Sequence, residues 1–189
     1  MGRRAKRKER RRNRRADRRQ GPPGGKKDWN RYIMTQKLAA IGDDYYVKNQ
    51  AGEQVFVVDG KALRARDTLR MRDLLTGDEY KIQEKIARVT DTMTIQKNGE
   101  RVAAVKKALV TPLRERFIVR VPGLSPLNVV GNIVDHEYRM LQDGVRVAEV
   151  SKKWFRVRDT YGIEVSPAMD PGLVIASTVA IDMMEHSGR

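Results

Sequence analysis

The chain has 189 residues, a formal net charge of +15 and no cysteine. That length fits one domain with a tail. The lack of thiols excludes disulfides, thiolate metal sites and a cysteine nucleophile, and no apolar run reaches the roughly 18–20 residues that a membrane helix needs.

The charge is concentrated at the start. Residues 1–27 hold 14 Lys/Arg against Glu9 and Asp17, so this stretch carries +12. The remainder holds 25 basic and 22 acidic residues, or +3. Residues 1–28 therefore read as a disordered basic arm, in which like charges repel and no apolar group offsets the entropy of ordering. Gly21-Pro22-Pro23-Gly24-Gly25 closes it as a linker. The folded domain is expected over 29–189, beginning at Trp29. The start of the chain has no apolar stretch of the secretory kind, so the expected location is the cytoplasm.

From Tyr32 to about Val165 the pattern is that of strands. Turn glycines recur at Gly52, Gly77, Gly99, Gly123 and Gly144, at intervals of 25, 22, 24 and 21 residues. Alternating segments flank them: Tyr32–Leu38, Tyr46–Lys48, Val55–Val58, Tyr80–Ile82, Met93–Ile95, Val102–Val105, Phe117–Val121, Tyr138–Met140 and Val147–Val150. One glycine per pair of short strands is the spacing of successive hairpins and predicts about twelve strands.

A repeat underlies this spacing. Residues 46–68 and 138–160 align without a gap, 92 residues apart, with ten identities in 23 positions. These include Tyr46/Tyr138, Gly52/Gly144, Val55/Val147, Arg64/Arg156, Arg66/Arg158 and Thr68/Thr160. Two related halves are thereby expected.

The pattern changes at Asp170. Asp170 suits an N-cap and Pro171 a first helical position. Leu173–Ile181 is apolar apart from Ser177 and Thr178. The β-branched residues favour a strand, but sixteen uninterrupted residues from Asp170 to Glu185 exceed a usual one. A helix near 170–185 is predicted, and a helix with no polar face must be buried all round. About twelve strands closed on themselves leave a lumen too wide for their own side chains. A helix roughly 10–12 Å across and ~24 Å long would fill it. The expected fold is mainly β: a closed antiparallel barrel around a buried C-terminal helix.

Strand parity then divides the side chains. Leu63, Ala65, Leu69 and Met71 share one side, as do Phe155, Val157, Tyr161 and Ile163 in the second copy; that side is assigned to the interior. The outer side carries Arg64, Arg66 and Arg70 in one copy and Lys152, Trp154, Arg156 and Arg158 in the other. Guanidinium forks of this kind suit phosphate groups, and Trp suits a lipid headgroup boundary. Asp67-Thr68 and Asp159-Thr160 fall on the interior parity and read as bends whose oxygens accept backbone N–H bonds.

Other chemistry is not evident. His136 and His186 lack metal-ligand spacing, and His136 reads as a loop or strand residue. Asp43-Asp44 reads as a turn. No nucleophile elbow, phosphate-binding glycine loop or calcium motif occurs. Catalytic and metal-ligating residues, and a cofactor, are therefore not expected.

Tyr32-Ile-Met-Thr-Gln-Lys-Leu, Asp43-Asp44-Tyr45, Val58-Asp-Gly-Lys-Ala-Leu63, Arg66-Asp-Thr68, Gly131-Asn132 and Val150-Ser-Lys-Lys-Trp-Phe-Arg156, in this order, resemble the LURP-one-related family. That family is grouped with tubby C-terminal domains and phospholipid scramblases. The resemblance covers about residues 30–186. It implies a twelve-stranded barrel around a central C-terminal helix and, by way of tubby-like relatives, a non-enzymatic module with a basic surface. The expected partner is an anionic phospholipid or membrane surface approached peripherally, through Arg64, Arg66, Arg70, Lys152, Trp154, Arg156 and Arg158. The alternative is nucleic acid, held without sequence preference by arm residues such as Arg10, Arg11, Arg12, Arg14 and Arg15.

Overall fold

Twelve short alternating segments and one apolar helix have a single economical arrangement, and a computed structural model of the chain has it. It describes residues 28–35, 45–59, 68–84, 92–111, 114–154 and 160–187. The strands are β1 (Asn30–Thr35), β2 (Tyr45–Asn49), β3 (Gln54–Asp59), β4 (Thr68–Asp73), β5 (Glu79–Glu84), β6 (Thr92–Lys97), β7 (Glu100–Thr111), β8 (Arg114–Arg120), β9 (Leu127–Asn132), β10 (Glu137–Gln142), β11 (Val145–Ser151) and β12 (Thr160–Val165). Each pairs antiparallel with its neighbours in sequence, and β1 pairs with β12 to close the barrel. β8 stops at Arg120, before the expected Val121, because the chain turns at Pro122-Gly123.

Closure explains the glycine interval. In an up-and-down barrel the chain returns to the same rim every second strand. The turns at Gly52, Gly77, Gly99, Gly123 and Gly144 therefore share one rim, and all five glycines have φ between 74° and 88°. Asn98-Gly99 and Asp143-Gly144 both hold positive φ at two central positions, as two-residue hairpin turns require. Three hairpins also share a bulge three residues past the glycine. Val55, Val102 and Val147 are each skipped in the pairing with the opposite strand.

The helix α1 (Pro171–Ser187) fills the lumen. Its side chains from Gly172 to Met184 are all buried, and it packs against β5, β6, β7 and β12. Asp170 caps it: its Oδ1 accepts the Gly172 N–H at 2.9 Å. The two hydroxyls inside the apolar run donate to carbonyls one turn back, Ser177 to Leu173 at 2.8 Å and Thr178 to Val174 at 3.0 Å. No polar group on this stretch therefore needs a face in water. Gly172 lets the helix start close to the wall, since a Cβ there would meet the Tyr80 hydroxyl and lie 2.6 Å from its Cζ.

Leu69 and Met71 on β4, and Tyr161 and Ile163 on β12, point inward and are fully buried. Leu63, Ala65, Phe155 and Val157 lie outside the described residues, as do Asp67 and Asp159. Thr68 and Thr160 open β4 and β12.

Gly131 on β9 has φ 141°, and an added Cβ would run into the Glu137 carbonyl oxygen and the Tyr138 Cα at 2.6 Å. Backbone atoms cannot rotate away. Gly131→Ala is expected to destabilise the fold by about 3 kcal/mol, read as a lower urea midpoint with unchanged slope.

Candidate anion-binding face

Strands β2 to β6 bury Val47, Phe56, Val58, Leu69, Met71, Tyr80 and Ile82 on the lumen side. Period-two alternation sends the residues between them outward. Arg70 and Arg72 on β4 are exposed, and Lys81 on β5 is half-buried. They line a shallow groove of about 950 Å³ together with Tyr46, Val57 and Gln96. Asp59 and Glu79 line it as well.

Register sets the spacing. Arg70 lies directly opposite Lys81 on one side and Asp59 on the other, while Arg72 faces Glu79 and Val57. Like charges directly opposite each other destabilise a sheet pair. Among the described residues, no ion pair joins Arg70, Arg72 or Lys81 to a carboxylate. The groove thus offers three cations, one Tyr ring and one amide to an incoming group, with the carboxylates of Asp59 and Glu79 on the same wall. An oxyanion bridging Arg70 and Lys81 would relieve their repulsion.

Lys97, the nearest cation toward the glycine-turn rim, is already matched. Lys97 Nζ sits 2.8 Å from Asp78 and 3.8 Å from Asp170. Hydrogen bonds from Lys97, Asn98 and Thr76 hold the Asp78 carboxyl down at about 2. Burial, helped by Asp170, pushes the Tyr80 phenol up to about 12, against the opposing Lys97. Neither group offers a free cation or a general acid near neutral pH.

The structure places the residues singled out from sequence as follows. Arg70 is in the groove. Lys152 and Trp154 follow β11 at the opposite rim and are half-buried. The Arg31 guanidinium stacks over the Trp154 ring at 5.6 Å while its Nη2 donates to Glu164 at 2.6 Å. Two strands, β3 and β2, separate Arg31 from Arg70, and four, β3, β2, β1 and β12, separate Arg70 from the end of β11. Arg64, Arg66, Arg156 and Arg158 lie outside the described residues, as do Arg10, Arg11, Arg12, Arg14 and Arg15. Arg72 and Lys81 were missed, although the parity that sends Arg70 outward sends Arg72 with it.

A second polar group was also missed, inside the barrel. His136 ends the β9–β10 turn with φ 52° and only 5% exposure. Its Nε2 lies 3.1 Å from Asp182 Oδ1 on α1, without hydrogen-bond alignment. Tyr161 donates to Asp182 Oδ2 at 2.6 Å, and its ring sits 4.7 Å from the imidazole. Burial raises the neighbouring Tyr138 phenol well above its usual value; Asp182 adds to this and Thr178 opposes it. The sequence signal was Asp182 itself, a carboxylate directly after the apolar run. Among the described residues, no three His, Asp or Glu side chains are placed to hold a metal ion.

A closed twelve-stranded antiparallel barrel plugged by its C-terminal helix, with cations on the outer wall, defines the class. The LURP-one-related family model matches residues 30–182, and the chain belongs to that family. It is similar to the uncharacterised protein YxjI of Bacillus subtilis (strain 168), 27% identical over 156 residues, which span 82% of this chain and 93% of that protein. Its fold resembles the X-ray structure of protein AT5G01750 from Arabidopsis thaliana. The TM-score is 0.61 at 14% identity, covering 83% of this chain and 91% of that one. Among the described residues, no helix is long and apolar enough to cross a membrane.

Proposed function

We propose that this protein is a non-enzymatic binding module. It docks peripherally on anionic phospholipid or another phosphate-bearing group through the groove of Arg70, Arg72 and Lys81, with the basic arm adding non-specific attraction. The observation that carries this reading is the like-charged pair Arg70 and Lys81, directly opposite in register. Asp59 offsets Arg70 and Glu79 offsets Arg72 across the sheet, but Lys81 has only Arg70 and Gln96 as cross-strand neighbours and no acidic one. The resemblance to tubby-like domains drawn from the sequence points in the same direction.

The test is co-sedimentation of the full chain with vesicles of phosphatidylcholine alone or with added phosphatidylserine or phosphoinositide. Each Lys or Arg at an anionic leaflet contributes ~1 kcal/mol, so Arg70→Gln/Arg72→Gln/Lys81→Gln should weaken anionic-vesicle binding roughly a hundredfold. Binding equal to that of the unmodified chain would remove the groove from the proposal. A parallel titration with single-stranded RNA asks whether the arm serves nucleic acid instead. Loss of RNA binding on Arg10, Arg11, Arg12, Arg14, Arg15→Gln, with lipid binding retained, would assign arm and barrel different partners.

A further inference from the structure

The glycine-turn rim is acidic. It carries Glu53, Asp73, Asp78, Glu100, Asp143 and Asp170. Its cations are Arg31, Lys97, Arg101, Arg120 and Arg146, and three of these are taken: Arg31 by Glu164 at 2.6 Å, Lys97 by Asp78 at 2.8 Å and Arg146 by Glu149 at 2.6 Å. At this rim, where α1 begins, a cleft of about 420 Å³ opens between the β2–β3 and β4–β5 turns. Tyr32 and Phe56 form its apolar floor, edge to face at 6.2 Å. Leu75, 77% exposed, forms its lip.

Two carboxylates face the cleft. Asp73 Oδ1 accepts the Leu75 and Thr76 N–H groups at 2.8 and 3.2 Å, and its other oxygen has no partner among the described residues. Asp170 also lines it at the helix start, where one oxygen caps α1 and the other takes the Tyr80 hydroxyl at 3.4 Å and lies 3.8 Å from Lys97, so Asp73 is the freer of the two. Burial raises the Tyr32 phenol, and the fields of Asp73 and Asp170 raise it further, so both carboxylates act on one point in the cleft. Arg31 lines the edge, but Glu164 and Trp154 hold its guanidinium.

Carboxylates above an aromatic floor suit a guanidinium or ammonium on an aliphatic stem: the head pairs with the oxygens and the stem lies on the rings. The chain supplies such groups next door. The arm of residues 1–27, with 14 Lys/Arg, joins the barrel just ahead of Asn30, itself part of the cleft wall. A peptide of ten residues spans up to about 35 Å, so the central arginines reach the cleft easily. A tether this short gives an effective concentration of order mM, enough to fill even a weak site.

We propose that this acidic rim cleft is the intramolecular seat of the chain's own basic arm. Arm residues seated there are withheld from outside polyanions, and an anionic surface must compete them off the rim before they add to its binding. The seat itself does not depend on the phosphate-groove reading, because its partner is within the chain.

The full chain carries the test. With no native cysteine, Asn13→Cys takes a single nitroxide in mid-arm. At low salt the label should broaden the amides of Asn49, Leu75 and Gly172 far more than those of Val134 and Asp135 at the opposite rim. About 0.5 M salt, with a screening length of roughly 4 Å, should abolish the contrast. Asp73→Asn keeps an oxygen for the two turn N–H groups and should cut the contrast by up to about fivefold, the worth of one exposed ion pair. Replacing Arg10, Arg11, Arg12, Arg14 and Arg15 by Gln leaves the barrel untouched and should abolish it. Even broadening over the barrel, or broadening centred on the opposite rim, would overturn the proposal. So would broadening that persists undiminished between separately labelled molecules in a mixed sample, since the occupant would then be a second copy's arm.

Discussion

Asp182→Ala is expected to destabilise the protein by about 2–3 kcal/mol, the usual cost of leaving a buried donor without its charged acceptor. The substitution removes the carboxylate that receives the Tyr161 hydroxyl at 2.6 Å and lies 3.1 Å from His136. Both partners are deeply buried, so solvent cannot replace it. Asp182→Asn keeps an oxygen for Tyr161 and should lose less than half as much. Urea unfolding of the two variants checks this. Equal midpoints for Asp182→Ala and the unmodified chain would mean that the His136–Asp182–Tyr161 group does not hold the helix to the wall.

Val179→Asp should be more severe, and its severity should depend on pH. Val179 is enclosed in the lumen, and aspartate is smaller and brings a carboxylate, so the change adds a charge without crowding the wall. An ionised carboxylate there would be paired with nothing and far from water. Burial raises its folded-state pKa, so the folded state holds the proton to higher pH than the unfolded chain. Stability is then highest below the unfolded value of about 3.9 and falls as pH rises through neutrality. The control is Val179→Ala, which should cost about 1–3 kcal/mol independently of pH. A Val179→Asp midpoint that does not fall between pH 4 and 7 would place this helix face in contact with water.

The helix and the barrel could be read from sequence for the same reason. Leu173–Ile181 has no face that tolerates solvent, and a wide cylinder is the only place in an all-strand chain that encloses a helix completely. The hairpin rhythm was legible through backbone chemistry, because left-handed turn positions favour glycine. Facing was harder to read. Tyr46 and Tyr138 are matched in the repeat, yet Tyr46 is 40% exposed on the outer groove and Tyr138 is sealed in the lumen. Their pairing explains it. Tyr46 lies opposite Val57, whereas Tyr138 lies opposite Val150, the counterpart of Val58. The register differs by one residue, and such a slip turns every side chain of a strand over. Identity between copies carries no information on register, so the repeat could not reveal it. The groove needed cross-strand neighbours: Lys81 becomes Arg70's partner only once β4 and β5 are aligned. The His136–Asp182 approach joins residues 46 apart in sequence across the lumen, and no local pattern encodes that.

Because α1 follows all twelve strands in the chain, it leaves the ribosome after every one of them. Until it does, the lumen-facing side chains of β1 to β12 lack the helix that fills the space between them. The nascent sheet must wait, curled and greasy on one side, for that helix. Chaperone dependence during synthesis should therefore be greatest just before α1 emerges, and a product stalled or truncated ahead of it would present its whole interior to the cell's quality-control machinery.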